Sequence, residues 1–306
     1  MPELPEVETV VRTLRPRVLG ARIRKVILAR GDIVSPATIA LQEVLAGRQI
    51  TAIGRRGKKI LIDLDDGNRF CIHLGMTGRL TAEQPSAPLL PHTHLVLGLG
   101  DAPADATGHD SATEVRFRDP RRFGGVWWLG CTDRGDGELG PEPLTLAPGR
   151  LLKLLSRTRR AIKTALLDQR LVAGLGNIYA DEALHAAAIH PTTPANELPE
   201  PAVYRLNRAI KQVLNRALRH RGSTLRDYMD ANGQSGEFQK LHRVYDRAGE
   251  PCARCGTRIE RIVLGGRSTH FCPVCQAPGA AAVAGDSSLR RSSSTGKARK
   301  RLPQRT

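Results

Sequence analysis

Four cysteines restrict the fold more than any other feature of the chain. They form two pairs, Cys252-x2-Cys255 and Cys272-x2-Cys275, separated by sixteen residues. That spacing is typical of a four-thiolate structural zinc site, because each pair can occupy a tight turn and two turns complete a tetrahedron. The intervening TRIERIVLGGRSTHF predicts a β-hairpin, so the segment is interpreted as a zinc ribbon or β-hairpin finger rather than as redox-active or disulfide-bonded pairs. Since cysteine fills every ligand position, one zinc ion would be structural, and catalysis must be sought elsewhere.

The charge of the chain indicates a polyanionic partner. Lysine and arginine outnumber acids 47 to 30 over 306 residues, which gives a net charge of +17 and a pI near 10.4. Such an excess favours nucleic acid first and an anionic membrane surface second. No run of eighteen apolar residues and no secretory signal is present, so we expect a cytoplasmic, nucleoid-associated monomer. Aromatic residues make up only 4% of the chain, which argues against a surface built on base stacking.

The first part of the chain, residues 1–133, predicts a mainly β domain behind a short helix. KKILIDLDDGNRFCIHLG contains two apolar runs around a DDGN turn, which is typical of a hairpin, and RFRDPRRFGGVWWLG adds another strand-like run. The small and acidic DAPADATGHDSAT between them predicts an exposed loop. At the start, MPELPEVETV suits a helix, because Pro5 fits the first turn and Glu6 and Glu8 favour the positive end of the dipole. Helix formation does not explain Pro2.

The second part predicts helices on a basic background. After a linker at 134–149, LLKLLSRTRRAIKTALLDQ and VYRLNRAIKQVLNRALRHR repeat apolar residues at helical spacing. Between them, LVAGLGNIYADEALHAAAIHP has two glycines in a turn, Asn177 at a plausible N-cap and Pro191 as a stop, which is the plan of a helix-turn-helix DNA binder. The predicted segments are a helical domain at 150–240 with a long polar loop at 222–239, the zinc finger at 241–276, and a disordered basic tail at 277–306.

Several separate motifs resemble one family. They are PELPEVET at 2–9, RRGKK at 55–59, HLGMTGRL at 73–80, DPRRFG at 119–124, GLGNIYADEALHAAAIHP at 174–191, and the four cysteines behind GEP at 249–251. In this order they resemble the bacterial formamidopyrimidine-DNA glycosylases and, more broadly, the family that these form with the endonuclease VIII glycosylases. The resemblance implies an α+β fold, with an amino-terminal β-sandwich, a helix–two-turn–helix domain carrying the zinc finger, and DNA in the cleft between them.

The resemblance also implies an activity, which is excision of oxidised purines coupled to strand cleavage. Removal of Met1 would leave Pro2 with a free secondary amine, whose pKa near roughly 8 keeps a useful fraction nucleophilic at neutral pH. By the same resemblance Glu3 is the acid and base that acts on the sugar, and Glu6 supports it, although the helix dipole alone could explain Glu6. Lys58 matches a lysine that faces the lesion, with a merely solvated lysine as the alternative.

Other matched positions are implied to hold DNA. Met76, Arg121 and Phe123 match the three residues that fill the gap left by an extruded nucleotide, and Asn177 and Arg267 match phosphate contacts. His92 and Arg159 complete the predicted DNA-binding set. The alternative for Arg159, its neighbour Arg160 and Lys163 is a position on the surface of a helix without contact to DNA.

The long 222–239 loop resembles the segment that closes over an oxidised purine, which favours 8-oxoguanine and formamidopyrimidines in duplex DNA as substrates. The alternatives are an oxidised-pyrimidine glycosylase of the endonuclease VIII type and a non-catalytic damaged-DNA binder.

Overall fold

The structure is a computed structural model that describes residues 2–100 and 114–278. The predicted exposed loop at 101–112 and nearly all of the predicted basic tail lie outside the described residues. The helices are α1 Leu4–Val18, α2 Leu41–Leu45, α3 Pro148–Leu155, α4 Ile162–Leu167, α5 Asn177–Ala187 and α6 Glu200–Arg219, with short 3-10 turns at Gly31–Ile33, Ala195–Glu197 and Phe238–Leu241. The strands are β1 Arg22–Leu28, β2 Val34–Ser35, β3 Ile50–Arg56, β4 Lys59–Leu64, β5 Arg69–His73, β6 Arg79–Glu83, β7 Thr93–Gly100, β8 Glu114–Arg118, β9 Gly125–Gly130, β10 Glu260–Leu264 and β11 Arg267–Phe271.

Two sheets build the amino-terminal part, which confirms the predicted α+β class. One sheet has the strand order β1-β7-β8-β6, and the other has the order β2-β9-β5-β4-β3. In β4 the apolar residues Ile60, Ile62 and Leu64 alternate with more exposed ones, because successive side chains of a strand point to opposite faces. β4 and β5 pair antiparallel around the DDGN turn, as the sequence predicts. Helix α1 packs its buried face into the same core.

The helical part differs from the sequence prediction in the first predicted helix. The continuous apolar spacing over residues 151–169 is interrupted, because α3 ends at Leu155 and α4 begins at Ile162. The first amides of α4 are bonded elsewhere: Ile162 N donates to the Thr193 carbonyl at 2.8 Å and Lys163 N to the Pro191 carbonyl at 3.2 Å. Periodicity alone does not reveal such a break, since both helices place leucines on the same core.

The β half, which contains the two sheets, and the helical half, which contains α3 to α6, each bury residues of the other. Leu4 at the start of α1 is buried in the core of the helical half, whereas Tyr228 and Ala231 of the 222–239 loop are buried in the core of the β half. The loop is also bonded to that half, because Ala82 N donates to the Ala231 carbonyl at 2.9 Å and Ala231 N donates to Thr13 Oγ1 at 3.1 Å. These crossings bring the chain start, the loop and α5 together.

The predicted β-hairpin of the finger is confirmed by β10 and β11, which pair antiparallel. Within the described part of the chain, every helix is too short or too polar to cross a membrane.

Candidate active site

Pro2 lies where the two halves of the molecule meet. It is buried and lines a cavity of about 430 Å³ together with Met76, Arg121 and residues of the 222–239 loop. The cavity therefore contains three of the predicted site residues and the loop that the sequence assigns to lesion recognition. Residues far apart in the sequence converge here because α1 and the 222–239 loop each contribute to both cores and meet at the start of α5.

The Glu3 carboxylate is buried against the amino terminus of α5. Its side chain is 2% exposed, and it accepts hydrogen bonds from Ile178 N at 2.9 Å and Tyr179 N at 3.4 Å. These are amides of the first helical turn, which have no partner within a helix, and the helix dipole there favours a negative charge. Burial nevertheless dominates and raises the pKa of Glu3 to about 7, with Lys58 opposing the rise and Glu6 adding to it.

The prediction of Asn177 as the N-cap is wrong. Asn177 is the first residue inside α5 and Gly176 is the cap, which has no side chain to bond the free amides. Glu3 supplies that bond from a distant part of the sequence. A side chain at the cap would obstruct it, since a Cβ on Gly176 would lie 2.4 Å from Glu3 Cδ. The glycine therefore provides the space for the carboxylate.

Glu6 connects three segments of the site. Its Oε2 accepts from Glu3 N at 2.9 Å, and its Oε1 accepts from Tyr179 Oη at 2.5 Å and from Ser223 N at 2.6 Å. Burial raises the pKa of Glu6, while these hydrogen bonds act in the opposite direction. The position at the start of α1 agrees with a helix-dipole role, but its contacts extend to α5 and to the 222–239 loop. Glu6 is thus bonded to the start of the chain, to α5 and to the 222–239 loop.

Lys58 lies in the turn between β3 and β4 and is only 8% exposed. Burial lowers the pKa of its ammonium, whereas the negative charges of Glu3 and Glu6 act in the opposite direction. The turn is held by Glu142, which accepts from Gly57 N at 2.7 Å and from Arg55 Nη2 at 2.7 Å. The alternative of a solvated lysine is inconsistent with this burial.

Met76, Arg121 and Phe123 lie on two adjacent loops and point towards solvent. Met76 is 39% exposed and Phe123 is 54% exposed. The Arg121 guanidinium lies 4.7 Å from the centre of the Phe123 ring. An exposed apolar pair beside an arginine is chemically suited to contact nucleotide bases.

The remaining predicted DNA contacts occupy different positions. Arg267 is exposed at the tip of the finger hairpin, and the Asn177 amide donates to the Ser268 carbonyl in the same hairpin at 2.9 Å. His92 is exposed on the β half, and Arg159 is exposed in the turn before α4. Neither lines the cavity.

Lys163, which the sequence leaves ambiguous, is fully buried. Its Nζ lies 2.7 Å from Asp181 Oδ1 and donates to the Ser268 carbonyl at 2.7 Å and to Thr269 Oγ1 at 2.9 Å. It therefore joins α4, α5 and β11 and is no candidate for direct contact with DNA.

The four predicted metal ligands come together. All four sulfur atoms lie within 4.8 Å of one another, with Cys252 and Cys275 Sγ 4.0 Å apart and Cys255 and Cys272 Sγ 3.4 Å apart. Zinc–sulfur bonds of about 2.3 Å in a tetrahedron require sulfur separations of about 3.8 Å, so the set fits one structural zinc ion. The His185 ring nitrogen lies 3.5 Å from Cys252 Sγ, which places α5 directly against the site.

Sequence reasoning missed several residues around the cavity. Tyr179, Ser223 and Tyr228 contact Glu6 or its main chain, and Asp119 bonds the loops of Met76 and Arg121. Tyr179 and Asp119 lie inside motifs that carry the family resemblance, but no local pattern indicates what they touch.

Comparison with known proteins agrees with this geometry. Family models match the "Formamidopyrimidine-DNA glycosylase N-terminal domain" over residues 1–126, the "H2TH domain" of the same enzymes over 139–229, and the "Zinc finger found in FPG and IleRS" over 249–278. The formamidopyrimidine-DNA glycosylase of Pelotomaculum thermopropionicum is 44% identical over 284 residues, covering 90% of this chain and 99% of that protein.

Solved structures show the same similarity. The formamidopyrimidine-DNA glycosylase of Thermus thermophilus has a TM-score of 0.79 and 42% identity, covering 91% of this chain and 100% of that one. The Lactococcus lactis protein, as a variant bound to DNA containing a formamidopyrimidine lesion, has a TM-score of 0.81 and 36% identity, covering 90% and 100%. The wild-type Lactococcus lactis protein is also known in complex with DNA containing an oxidised pyrimidine.

Proposed function

The chain belongs to the formamidopyrimidine-DNA glycosylase family, and on that basis we propose that it is a bifunctional DNA glycosylase and AP lyase for oxidised purines in duplex DNA. The observation that carries the proposal is the pairing of a buried Pro2 in the cavity with a Glu3 carboxyl whose pKa is about 7. The preferred bases are 8-oxoguanine and formamidopyrimidines. The protein acts as a monomer with one structural zinc ion.

Pro2 is the proposed nucleophile. Once Met1 is removed, the lone pair of the proline nitrogen attacks C1′ of the damaged nucleotide, and the glycosidic bond breaks with its electron pair leaving on the base. The proline nitrogen gives up its proton, which the departing base takes, and the recovered lone pair then opens the sugar ring as O4′ leaves C1′ and is protonated, which produces an iminium cation. Because the nitrogen of this iminium has no proton to lose, the cation remains an electron sink that promotes loss of the 3′ and then the 5′ phosphate.

Glu3 is suited to move protons in both directions. With a pKa of about 7, the carboxyl is populated in both protonation states at neutral pH, which favours a group that must act as an acid and later as a base. As an acid it protonates O4′ during ring opening, and as a base it removes a proton from C2′ for the elimination. Glu6 holds Glu3 in place through the Glu3 N–H and contributes to raising its pKa.

Lys58 contributes a buried positive charge beside these carboxylates. Its effect on Glu3 is to lower the pKa, so it keeps part of the carboxyl population ionised against the large effect of burial. The proposed contact for its ammonium is a phosphate next to the lesion, with which it would form a charge-assisted hydrogen bond.

The exposed loops of the β half would open the duplex. Extruding a nucleotide costs a few kcal/mol of stacking, which apolar side chains inserted in the gap partly offset. Met76 and Phe123 are the inserted groups, and Arg121 hydrogen-bonds the orphaned base. His92, Arg159, Asn177 and Arg267 bind phosphates and position the strand without reading sequence.

The choice of oxidised purines rests on the 222–239 loop. Ser223 and Tyr228 of this loop line the cavity and are bonded to Glu6, so the loop forms one wall of the space beside Pro2. An oxidised-pyrimidine glycosylase is the second candidate, favoured by the Lactococcus lactis complex with an oxidised pyrimidine.

A lesion panel separates the two. Single-turnover excision is measured on otherwise identical duplexes that contain 8-oxoguanine, a formamidopyrimidine, or an oxidised pyrimidine opposite the same partner. We expect both purine lesions to be excised at least about 10-fold faster, a difference of about 1.4 kcal/mol in activation free energy. Faster excision of the pyrimidine would contradict the substrate assignment, and binding without excision of any lesion would contradict the proposed enzyme.

A further inference from the structure

The buried carboxylate of Asp119 bonds both loops that carry the exposed apolar residues. Asp119 is 0% exposed, and its Oδ1 accepts from Thr77 Oγ1 at 2.5 Å and from Arg121 N at 3.3 Å, while its Oδ2 accepts from Gly124 N at 2.8 Å. Thr77 follows Met76 directly, and Gly124 follows Phe123. One side chain therefore fixes the backbone on either side of the Arg121–Phe123 pair and holds the neighbouring loop by its threonine.

The main chain of Asp119 extends the same cluster to His92. Asp119 N donates to the His92 carbonyl at 3.0 Å, and the Asp119 carbonyl accepts from Arg122 N at 3.2 Å. The Asp119 carbonyl also lies 2.9 Å from the Nε2 of the buried His94. On the exposed face of the β half, each predicted DNA contact is thus hydrogen-bonded to Asp119 or is next in sequence to a residue that is.

The two loops touch each other through their backbones. Gly75 has a φ of 61°, and a Cβ on it would lie 2.4 Å from Gly124 N. His92 and Arg122 also have left-handed backbone angles, with φ of 67° and 55°. Such angles are costly for residues with side chains and persist only where surrounding bonds determine them. At His92 and Arg122, the hydrogen bonds to the main chain of Asp119 hold these backbone angles.

The carboxylate is satisfied by hydrogen-bond donors rather than by a cation. Among the residues that the structure describes, Asp119 forms no ion pair, and each of its side-chain bonds comes from a backbone N–H or a hydroxyl. An ionised carboxylate has only acceptor sites, so it can accept all three bonds at once. An asparagine of the same shape cannot, because its NH₂ group would face another donor.

We propose that Asp119 is a positioning residue that holds Met76, Arg121, Phe123 and His92 in their DNA-binding arrangement before DNA is bound. The inference rests on the proposed function for the roles of those four residues. Asp119 itself touches neither DNA nor the reacting atoms. Its contribution is preorganisation: the loops insert into the duplex without first having to be ordered.

The test uses the full-length, zinc-loaded protein, three substitutions at Asp119 and Thr77, and one control substitution. Asp119→Asn places a donor against a donor, and Thr77→Val removes only the bond between the two loops. Thr77→Ser keeps the hydroxyl and is expected to behave as the wild type. Asp32→Asn is the matched control, because Asp32 pairs with Arg122 of the same loop at 2.9 Å but is exposed, where such pairs contribute little.

The first readout needs no catalysis. The protein is bound to a duplex containing an uncleavable tetrahydrofuran abasic site opposite 2-aminopurine, whose fluorescence reports insertion of side chains beside it. We expect the fluorescence change to be lost or slowed about 100-fold in Asp119→Asn, since misplacement of a positioned group by about 1 Å can cost that much. Thr77→Val would show a smaller loss, and Asp32→Asn would match the wild type.

The second readout compares cleavage of a true abasic site in an intact duplex and in a duplex that lacks the facing nucleotide. Asp119→Asn is expected to lose cleavage of the intact duplex and to keep cleavage of the gapped one within about 3-fold. In the gapped duplex no nucleotide faces the abasic site, so cleavage depends less on the insertion of these side chains. A wild-type fluorescence response in Asp119→Asn would overturn the inference, as would equal losses on both duplexes. Absence of cleavage by the wild type would overturn the proposed function alone, because the fluorescence readout still tests Asp119.

Discussion

Lys163→Met is expected to destabilise the helical half and the zinc finger together. In the structure the Lys163 ammonium is paired with the buried Asp181 at 2.7 Å and donates to two groups of the finger hairpin. Methionine is similar in length but carries no charge and no donor. The substitution therefore leaves the Asp181 carboxylate buried with only the bond from His270 N at 2.9 Å and the weaker His270 Nδ1 contact.

The expected cost follows from burial. Removing one partner of a buried ion pair typically costs about 3–5 kcal/mol, because the other charge remains without compensation. For a unit of the size of the helical half with its zinc finger, each kcal/mol lost from the free energy of unfolding lowers the melting temperature by roughly 2–4 °C. We therefore expect the melting temperature to fall by an amount on the order of 10 °C. In the Lys163→Met/Asp181→Asn double variant the buried charge is gone, so part of the stability should return, with a coupling of about 1–3 kcal/mol between the two sites.

The assay is thermal unfolding of zinc-loaded protein, followed by circular dichroism, alongside DNA affinity at several salt concentrations. Lys240→Met is the control, because its pair with Glu237 is exposed and its loss should leave the melting temperature unchanged. An unchanged melting temperature in Lys163→Met, with a salt slope of DNA binding reduced by about 1, would mean that Lys163 contacts a phosphate. The assignment of this lysine to the structural core would then be wrong.

Three further predictions concern the active site and the finger. Because Glu3 acts as an acid and has a pKa of about 7, the rate of excision should fall as the pH rises through that value. Lys58→Met removes the charge that lowers this pKa, so the alkaline limb of the pH–rate profile should move to higher pH. Gly176→Ala places a Cβ 2.4 Å from Glu3 Cδ and should abolish excision with zinc content intact, whereas Gly54→Ala, which meets nothing within 4 Å, should keep wild-type activity in the same assay. Removal of zinc by a chelator, or Cys255→Ser, should unfold the finger and abolish DNA binding in a gel-shift assay, with binding restored by zinc only in the chelated wild type.

The cysteine spacing and the family motifs were sufficient to predict the fold class and the metal site. Both depend on local chemistry: four thiolates at that spacing have few other uses, and the hairpin between them follows from a short apolar pattern around two glycines. The sheets and helices were likewise indicated by apolar periodicity, except at residues 156–161, where the first amides of α4 are bonded by a segment about thirty residues later.

The capping of α5 shows what sequence patterns cannot supply. Asn177 fits the local rule for an N-cap, but the structure uses Gly176 and a carboxylate from the other end of the chain. The same limitation hid the bond of Asp119 to Thr77 and the partners of Lys163, which lie in separate segments. In each case the determining factor is a buried charge that needs donors or a counter-ion, and only the tertiary structure shows where these are found.

The most direct test of the account is to trap the covalent intermediate with borohydride. Protein with a mature amino terminus is incubated with a duplex containing 8-oxoguanine opposite cytosine, next to a form that retains Met1 ahead of Pro2, and the adduct is digested for mass spectrometry. We expect a stable protein–DNA adduct whose modified peptide carries the deoxyribose on Pro2, and none from the form that retains Met1. An adduct on a lysine, or no adduct from zinc-loaded protein that binds the duplex, would contradict the proline mechanism.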